Sequence, residues 1–231
     1  MVTPSAAKAI VIENGWLSLT PKSFQDEVVD TCRLQSFDAG QTIYRVGDPP
    51  GGMYGLVPGS VAISIAPGEQ GPYFAHLARP GTWFGEAAAI TQQPRRIGLT
   101  AIHGATMLHL PLPRIEKIVK KDPAAWRYFT MLTLGHLDMA IGVCDDLMLR
   151  DHVRRLIATL LRLGGCRHGS PAASPPAEID FAQDDIAKLA NVSRTTAGSV
   201  LRDLEAKGHI QRSYRRIQIV APDALRVLLR D

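Results

Sequence analysis

Residues 183–208 read QDDIAKLANVSRTTAGSVLRDLEAKG, and this stretch decides the fold. Its apolar side chains recur at helical spacing and predict two short helices packed together. These side chains are Ile186, Leu189, Val192, Val200, Leu201 and Leu204. Asn191 tolerates the left-handed backbone of a tight turn, Ser193 is a good N-cap for the second helix, and Gly208 is a natural stop. The pattern predicts a helix-turn-helix whose exposed polar residues suit the reading of base edges in a major groove.

The positive charge of the chain is concentrated around this helix pair. The 231 residues have a formal net charge of +4. Residues 1–150 contain 13 basic and 13 acidic side chains, whereas residues 151–231 contain 13 basic and 9 acidic ones. A localised basic patch is the electrostatic footprint expected for a phosphate backbone. The alternative on charge alone is a solvated basic face.

Composition excludes several classes of protein. Three widely spaced cysteines, Cys32, Cys144 and Cys166, predict reduced thiols rather than a disulfide framework. The sequence has neither an apolar run of membrane-spanning length nor a secretory signal, so we expect a cytoplasmic protein with no membrane partner. It also lacks a nucleophile–base constellation, metal-ligand spacing and a phosphate loop of enzymatic type. We therefore expect no enzyme and no metal site.

The first half of the chain predicts a β-rich domain. Short runs separated by Gly and Pro clusters predict strands at 41–46, 60–65, 73–77, 98–102 and 106–110. The first thirty residues predict helix packed beside this sheet, and Arg114–Val119 predicts a short helix.

A long helix is predicted between Pro123 and Arg150. Apolar residues recur along it at steps of 3, 4, 3 and 4, which is typical of a coiled-coil seam. The seam consists of Leu134, Leu137, Ile141, Cys144 and Met148. A second apolar stripe, Trp126, Phe129, Ala140 and Leu147, is expected to cover the β-rich domain. The seam then either pairs with a second subunit or forms part of one wide face buried in a single core.

The remainder of the chain completes the C-terminal domain. Val153–Leu161 predicts a helix, and the Gly-, Pro- and Ser-rich segment 164–178 predicts a loop. Residues 210–220 alternate like a hairpin with a tight turn around Tyr214, which would form a wing beside the helix pair.

Three stretches in this order resemble the cyclic-AMP receptor protein and fumarate-nitrate regulator (CRP/FNR) family. Residues 37–63 resemble the opening of its β-roll, 80–96 its phosphate-binding cassette, and 185–210 its winged helix-turn-helix. The resemblance implies an α+β fold with a cyclic-nucleotide-binding-like β-roll at 1–122, a dimerisation helix at 123–150 and a winged helix-turn-helix at 151–231. It also implies a homodimer on double-stranded DNA, with half-sites about 34–36 Å apart.

The resemblance implies a set of DNA contacts. They are Gln183, Ser193, Arg194, Thr195, Thr196, Ser199, Arg212, Arg215 and Arg216. Arg194 is the candidate for reading a guanine, while Gln183 and the three wing arginines are candidates for phosphate contacts. Thr195 and Ser199 stand where the family pattern often has Glu and a second Arg, so we expect a different base preference.

The cassette implies an effector site formed by Gly85, Glu86, Arg95 and Arg96. In the family, the Glu accepts from a ribose hydroxyl and the Arg neutralises a cyclic phosphate. Here Arg96 and Ile97 replace a hydroxylated residue and an alanine, and Ala140 and Ile141 replace the pair that contacts adenine. We therefore expect weak or no binding of cAMP and cGMP.

Other readings of the cassette stay open. Gly85 and Glu86 either form a structural turn, with the Glu paired to a nearby Arg, or bind a cyclic nucleotide or a different effector. Iron–sulfur sensing needs four cysteine ligands, and haem sensing needs axial ligands, and the sequence predicts neither cofactor.

The predicted function is a homodimeric, sequence-specific transcription regulator of the CRP/FNR type, gated by a small effector if the β-roll still binds one. RNA polymerase is an expected partner if the protein activates transcription. The alternative is a cyclic-nucleotide-binding adaptor whose C-terminal domain contacts protein rather than DNA.

Overall fold

The structure, a computed structural model, describes residues 2–66, 73–167, 177–179 and 182–230. The chain divides into two compact units, residues 1–138 and 139–231. The division falls inside the long helix, between the predicted domain boundaries at 122 and 150. Those finer boundaries stay a prediction.

Helices begin the first unit, as the sequence predicts. They are α1 (Pro4–Glu13), a 3₁₀ turn (Trp16–Leu19) and α2 (Lys22–Thr31). The Thr3 side chain accepts a hydrogen bond from the backbone of Ala6, which caps α1. Trp16 packs edge-on against Phe24, and both rings contact Phe129 of the long helix. These apolar contacts hold the N-terminal helices on the unit's core.

Two four-stranded antiparallel sheets form the β-roll within the described residues. The strands of the first, in chain order, are β1 (Arg33–Phe37), β3 (Gly52–Leu56), β6 (Trp83–Phe84) and β8 (Ala105–Pro111). Those of the second are β2 (Thr42–Tyr44), β4 (Val61–Ile65), β5 (Tyr73–Ala78) and β7 (Ile97–Ala101). Their spatial orders are β1-β8-β3-β6 and β2-β7-β4-β5. All five predicted strands are present, and β1, β3 and β6 were not predicted.

Strand β3 was not predicted from the sequence because it is buried on both faces and has no polar–apolar alternation. Its Gly55 lies against the indole of Trp83, where a Cβ atom would overlap the ring. Glycine weakens a strand by propensity, yet here it permits the close approach of a fully buried tryptophan.

Three helices complete the first unit: α3 (Glu86–Thr91), α4 (Leu112–Lys121) and α5 (Ala125–Met148), the last of which continues into the second unit. Of the stripe expected to cover the β-rich domain, Phe129 is buried and Trp126 is at the edge of exposure. Ala140 and Leu147 are exposed, so within the stripe that expectation holds fully only at Phe129. The reason is that both residues belong to the second unit rather than to the β-rich first one.

The second unit contains a winged helix pair. Its elements are α6 (His152–Leu163), β9 (Ala177–Ile179), α7 (Gln183–Leu189), α8 (Arg194–Ala206), β10 (Ile210–Ser213), β11 (Arg216–Ile219) and α9 (Pro222–Val227). The predicted hairpin is confirmed as β10 and β11, and β9 pairs with β11. The prediction of loop at 164–178 is wrong at its end, because 177–179 form a strand. Residues 168–176 of that prediction lie outside the described residues.

The turn between α7 and α8 has the predicted local chemistry. Asn191 has φ +48° and Gly208, after α8, has φ +72°. The Ser193 hydroxyl accepts a hydrogen bond from the backbone of Thr196 at 3.0 Å. These features set where α8 begins and ends.

A buried carboxylate secures the corner between α5 and α6. Asp146 is 1% exposed and accepts from Nε of Arg162 at 2.8 Å and from Nε of Arg167 at 2.9 Å. Removing one partner of a buried ion pair is costly because the remaining charge keeps its desolvation penalty. The sequence did not single out Asp146, since a lone acidic residue on a helix predicts a solvated face.

We expect Asp146→Ala to lower the free energy of unfolding by about 3–5 kcal/mol. Asp145→Ala is the matched control, because that side chain is 69% exposed and makes a longer contact with Arg167, at 3.4 Å. Its loss should cost less than about 1 kcal/mol. Chemical denaturation followed by circular dichroism reports both units. Tryptophan fluorescence reports only the first, which contains Trp16, Trp83 and Trp126. Equal losses in the two variants would contradict the assigned role of Asp146.

Candidate functional site

The first turn of α8 divides the predicted contacts into two groups. The hydroxyls of Ser193 and Thr196 lie 2.7 Å apart and serve the helix cap, so they hold the turn together. Arg194, Thr195 and Ser199 are exposed. The arginine side chain is 78% exposed. These three side chains form the polar face that α8 offers to a partner.

Gln183 lies beneath this face. Its Nε2 donates to the backbone carbonyl of Arg194 at 3.1 Å. The same amide lies over Gly198, where a Cβ atom would overlap it. Gln183 thus joins α7 to α8, whereas the sequence predicts a phosphate contact.

The next residue, Asp184, contacts the side chain of Arg194. Its Oδ1 lies 2.9 Å from Nε of the arginine, and its side chain is 45% exposed. Sequence reasoning missed Asp184, because it treated acidic residues in a basic domain only as charge to be subtracted. Asp184 and Arg194 are ten residues apart in the sequence. That separation does not indicate an ion pair unless the angle between α7 and α8 is known.

The three wing arginines have different surroundings. Arg212 is bound by Glu205 through its backbone N–H, its Nε and its Nη2, the last at 2.6 Å. These bonds hold the pKa of Glu205 below its ordinary value. Nη1 of Arg216 lies 3.3 Å from Glu178 on β9. Arg215 is exposed at the wing tip with φ +56°, and the described residues show no carboxylate beside it.

Tyr214 stands next to Arg215 at this tip and is 91% exposed. A two-residue loop joins β10 to β11, since Ser213 pairs with Arg216. The tip therefore presents one cation and one aromatic ring to solvent. Of the predicted wing contacts, Arg215 is the one best placed for a phosphate.

The carboxylate of the cassette is already bound within the first unit. Glu86, at the start of α3, is 4% exposed, and Nδ1 of His136 donates to its Oε1 at 2.8 Å. The His136 ring stacks on Phe84 with centroids 5.4 Å apart. One alternative was a structural turn in which Glu86 pairs with an arginine. The observed partner is instead a histidine of α5.

The arginine of the cassette is also held inside. Arg95 is 4% exposed, its Nη2 donates to the carbonyl of Gly52 at 2.8 Å, and its guanidinium lies 4.2 Å from the centre of the Tyr44 ring. Gly85 has φ +103°, and a Cβ atom there would overlap Arg95. Arg96 is exposed. Of the two predicted arginines, only Arg95 lies against Gly85, the residue that precedes Glu86.

The surroundings of Glu86 and Arg95 are buried and polar at once. Burial is the main cause that raises the pKa of the Tyr44 hydroxyl, and the carboxylate of Glu86 adds to it. Nε of Arg95, the hydroxyl of Tyr44 and Nε2 of His136 are buried and find no hydrogen-bond partner among the described residues. A cyclic phosphate needs the arginine fork, and here one arm of that fork is bound to a backbone carbonyl. In this arrangement the chain itself engages part of the Arg95 fork, while Nε of Arg95 is left without a partner among the described residues.

The seam of α5 is exposed. Leu134, Leu137, Ile141 and Met148 are 54%, 53%, 58% and 79% exposed, and Cys144 is exposed as well. The alternative of one wide face buried in a single core is therefore wrong for these residues.

Metal and membrane chemistry have no counterpart among the described residues. No group of three or more His, Cys, Asp or Glu side chains there could hold a metal ion. In the same residues, no helix combines the length and apolarity needed to cross a bilayer. Burial raises the pKa of the Cys32 thiol to about 12, so it stays protonated near neutral pH.

Comparisons with known proteins agree with this layout. Residues 34–122 match the family model of the cyclic nucleotide-binding domain, and residues 154–228 match that of the Crp-like helix-turn-helix domain. The global nitrogen regulator of Synechocystis is 27% identical over 83% of this chain and 86% of its own length. A CRP-like cAMP-activated global transcriptional regulator of Mycobacterium tuberculosis is 22% identical over 76% of this chain and 78% of its own length.

A solved structure has the same fold. It is a transcriptional regulator of the CRP/FNR family from Thermus thermophilus, with a TM-score of 0.63, 24% identity and coverage of 86% of this chain and 99% of that one. Because the two domain types follow one another on one chain in the order found in these regulators, the protein belongs to the CRP/FNR family of DNA-binding transcription regulators.

Proposed function

We propose that the protein binds DNA as a homodimer and places α8 of each subunit in a major groove of one half-site. The observation that supports this most directly is the exposed face of Arg194, Thr195 and Ser199 at the start of α8. An arginine at this position offers a fork to guanine O6 and N7, and a threonine offers a methyl group to thymine. The excess of basic over acidic side chains in residues 151–231 favours DNA over the protein contact of an adaptor.

The wing has the complementary role of holding the duplex. Arg215 meets a phosphate, because it is exposed and the described residues place no carboxylate beside it. Arg212 and Arg216 each have a glutamate partner, so they contribute less to the affinity. Phosphate contacts give affinity without sequence information, whereas base contacts give sequence preference.

We expect Arg194→Ala to weaken binding to the preferred duplex by about 1–3 kcal/mol and to relax the preference at one base position. Arg215→Ala should weaken binding to all sequences about equally. It should also reduce the slope of log K against log salt concentration by roughly one. Fluorescence anisotropy with duplexes that differ at single positions measures both effects. An unchanged preference in Arg194→Ala would show that this residue does not read a base.

Dimerisation uses the α5 seam. An apolar stripe this exposed, on a helix of 24 residues, gains free energy when a second copy covers it. Its steps of three and four residues match the packing of two helices along a shared axis.

We expect the wild-type protein to have about twice the 25.1 kDa mass of one chain in solution. Leu137→Glu should shift it to the monomer, since two buried carboxylates would face each other across the axis. Leu137→Met keeps an apolar side chain of similar volume and should remain dimeric. Light scattering after size exclusion distinguishes these states. A monomeric wild type, or a dimeric Leu137→Glu, would exclude the seam as the interface.

The β-roll of this protein is held in one arrangement by its own side chains. Glu86 is bound to His136 and Arg95 to Gly52 and Tyr44, so a cyclic nucleotide would have to displace these contacts before binding. Under this proposal the domain either takes a different effector or acts without one. The protein works in the cytoplasm, with RNA polymerase as a partner if it activates transcription.

Calorimetry with cAMP and with cGMP should show weak binding or none. The reason is the cost of breaking buried hydrogen bonds that the ligand does not fully replace. Low-micromolar affinity for either nucleotide, lost in Arg95→Ala, would contradict this part of the proposal.

A further inference from the structure

Two consecutive residues of α7 hold Arg194 from below. The Gln183 amide donates to the arginine's backbone carbonyl at 3.1 Å, and the Asp184 carboxylate lies 2.9 Å from its Nε. One contact therefore restrains the backbone and the other the side chain. Both come from the first turn of a helix that is packed on α8 at Gly198.

We propose that Asp184 is a positioning residue that sets the specificity of Arg194 for its base. The inference rests on the proposed function, in which Arg194 reads a guanine. The contact engages Nε and leaves the two Nη groups, which are the end-on fork that matches guanine O6 and N7.

Pre-organisation is the physical reason for this role. A free arginine side chain samples many rotamers and loses that freedom when it binds, whereas a held side chain loses less.

Stability does not explain the pair. The side chains of Asp184 and Arg194 are 45% and 78% exposed, and ion pairs at such exposure contribute little to folding. Removing Asp184 should thus leave the helix pair folded, so its effect on recognition is measurable.

Asp185 provides a matched control. It lies in the same first turn of α7 and has the same charge, and the described residues show no ion pair for its side chain. Any effect that Asp184→Ala and Asp185→Ala share is due to removing a negative charge near DNA. An effect confined to Asp184→Ala is due to its hold on Arg194.

The experiment begins with a duplex that the wild-type protein selects from a randomised library. The base pair that Arg194 reads is the one at which Arg194→Ala relaxes the sequence preference. The affinity is then measured for the selected duplex and for one in which this base pair is replaced. Asp184→Ala should lower the ratio of the two affinities by about 2- to 5-fold, and Asp185→Ala should leave it unchanged. In an Arg194→Ala background, Asp184→Ala should cause no further loss. Thermal unfolding by circular dichroism verifies that each variant is folded.

The outcomes separate the two proposals. If the wild type selects a sequence but Asp184→Ala keeps the full ratio, or Asp185→Ala lowers it equally, the role assigned to Asp184 is wrong and the proposed function stands. If the wild type selects no sequence, both are wrong.

Discussion

The exposed polar face at the start of α8, which we propose reads DNA, depends on the packing of one very short helix against α8. Helix α7 has seven residues, which is too few to be stable alone in water. Its buried side chains Ile186, Ala187 and Leu189 pack it into the core of the second unit. Two polar contacts add to this packing: the Gln183 amide over Gly198, and Arg155, which donates to the carbonyls of Ala190 and Asn191 at 2.7 and 3.2 Å. Because Arg155 also donates to the carbonyl of Leu149 at 2.7 Å, the turn is tied to the end of α5.

The consequence is a packed base that carries a small number of exposed side chains. Ser193 and Thr196 are used in the cap, Gln183 in the packing, and Arg212 in its bonds to Glu205. The exposed residues Arg194, Thr195, Ser199 and Arg215 therefore lie on elements that these internal contacts hold together. A recognition surface built in this way loses little conformational freedom on binding.

In the first unit, too, polar side chains are bound by other groups of the chain, but there the bound side chains are the charged residues of the cassette. Its two charged cassette residues, Glu86 and Arg95, are both buried, and each has a partner supplied by the chain. A buried charge without a partner would be destabilising, so these contacts reduce the cost of burying Glu86 and Arg95, although Nε of Arg95 and Nε2 of His136 have no partner among the described residues. The family position is retained, but a histidine of α5 and a tyrosine of β2 stand beside the groups that would otherwise hold a nucleotide.

Sequence reasoning predicted what depends on periodicity and local chemistry. The helix pair, the wing, the caps at Ser193 and Gly208 and the α5 seam all follow from residues close together in the chain. It missed what depends on pairs that are distant in sequence. Glu86 and His136 are 50 residues apart, and Arg216 meets Glu178 only because β9 joins the wing sheet. Strand β3 was missed because complete burial removes the alternation that marks a strand.

The central claim is that two copies of α8, carried by one dimer, read two half-sites. Hydroxyl-radical footprinting on the selected duplex tests it most directly. The account predicts two symmetric protected segments centred about 10 base pairs apart, one turn of the double helix. A single protected segment, or protection that does not depend on sequence, would contradict it.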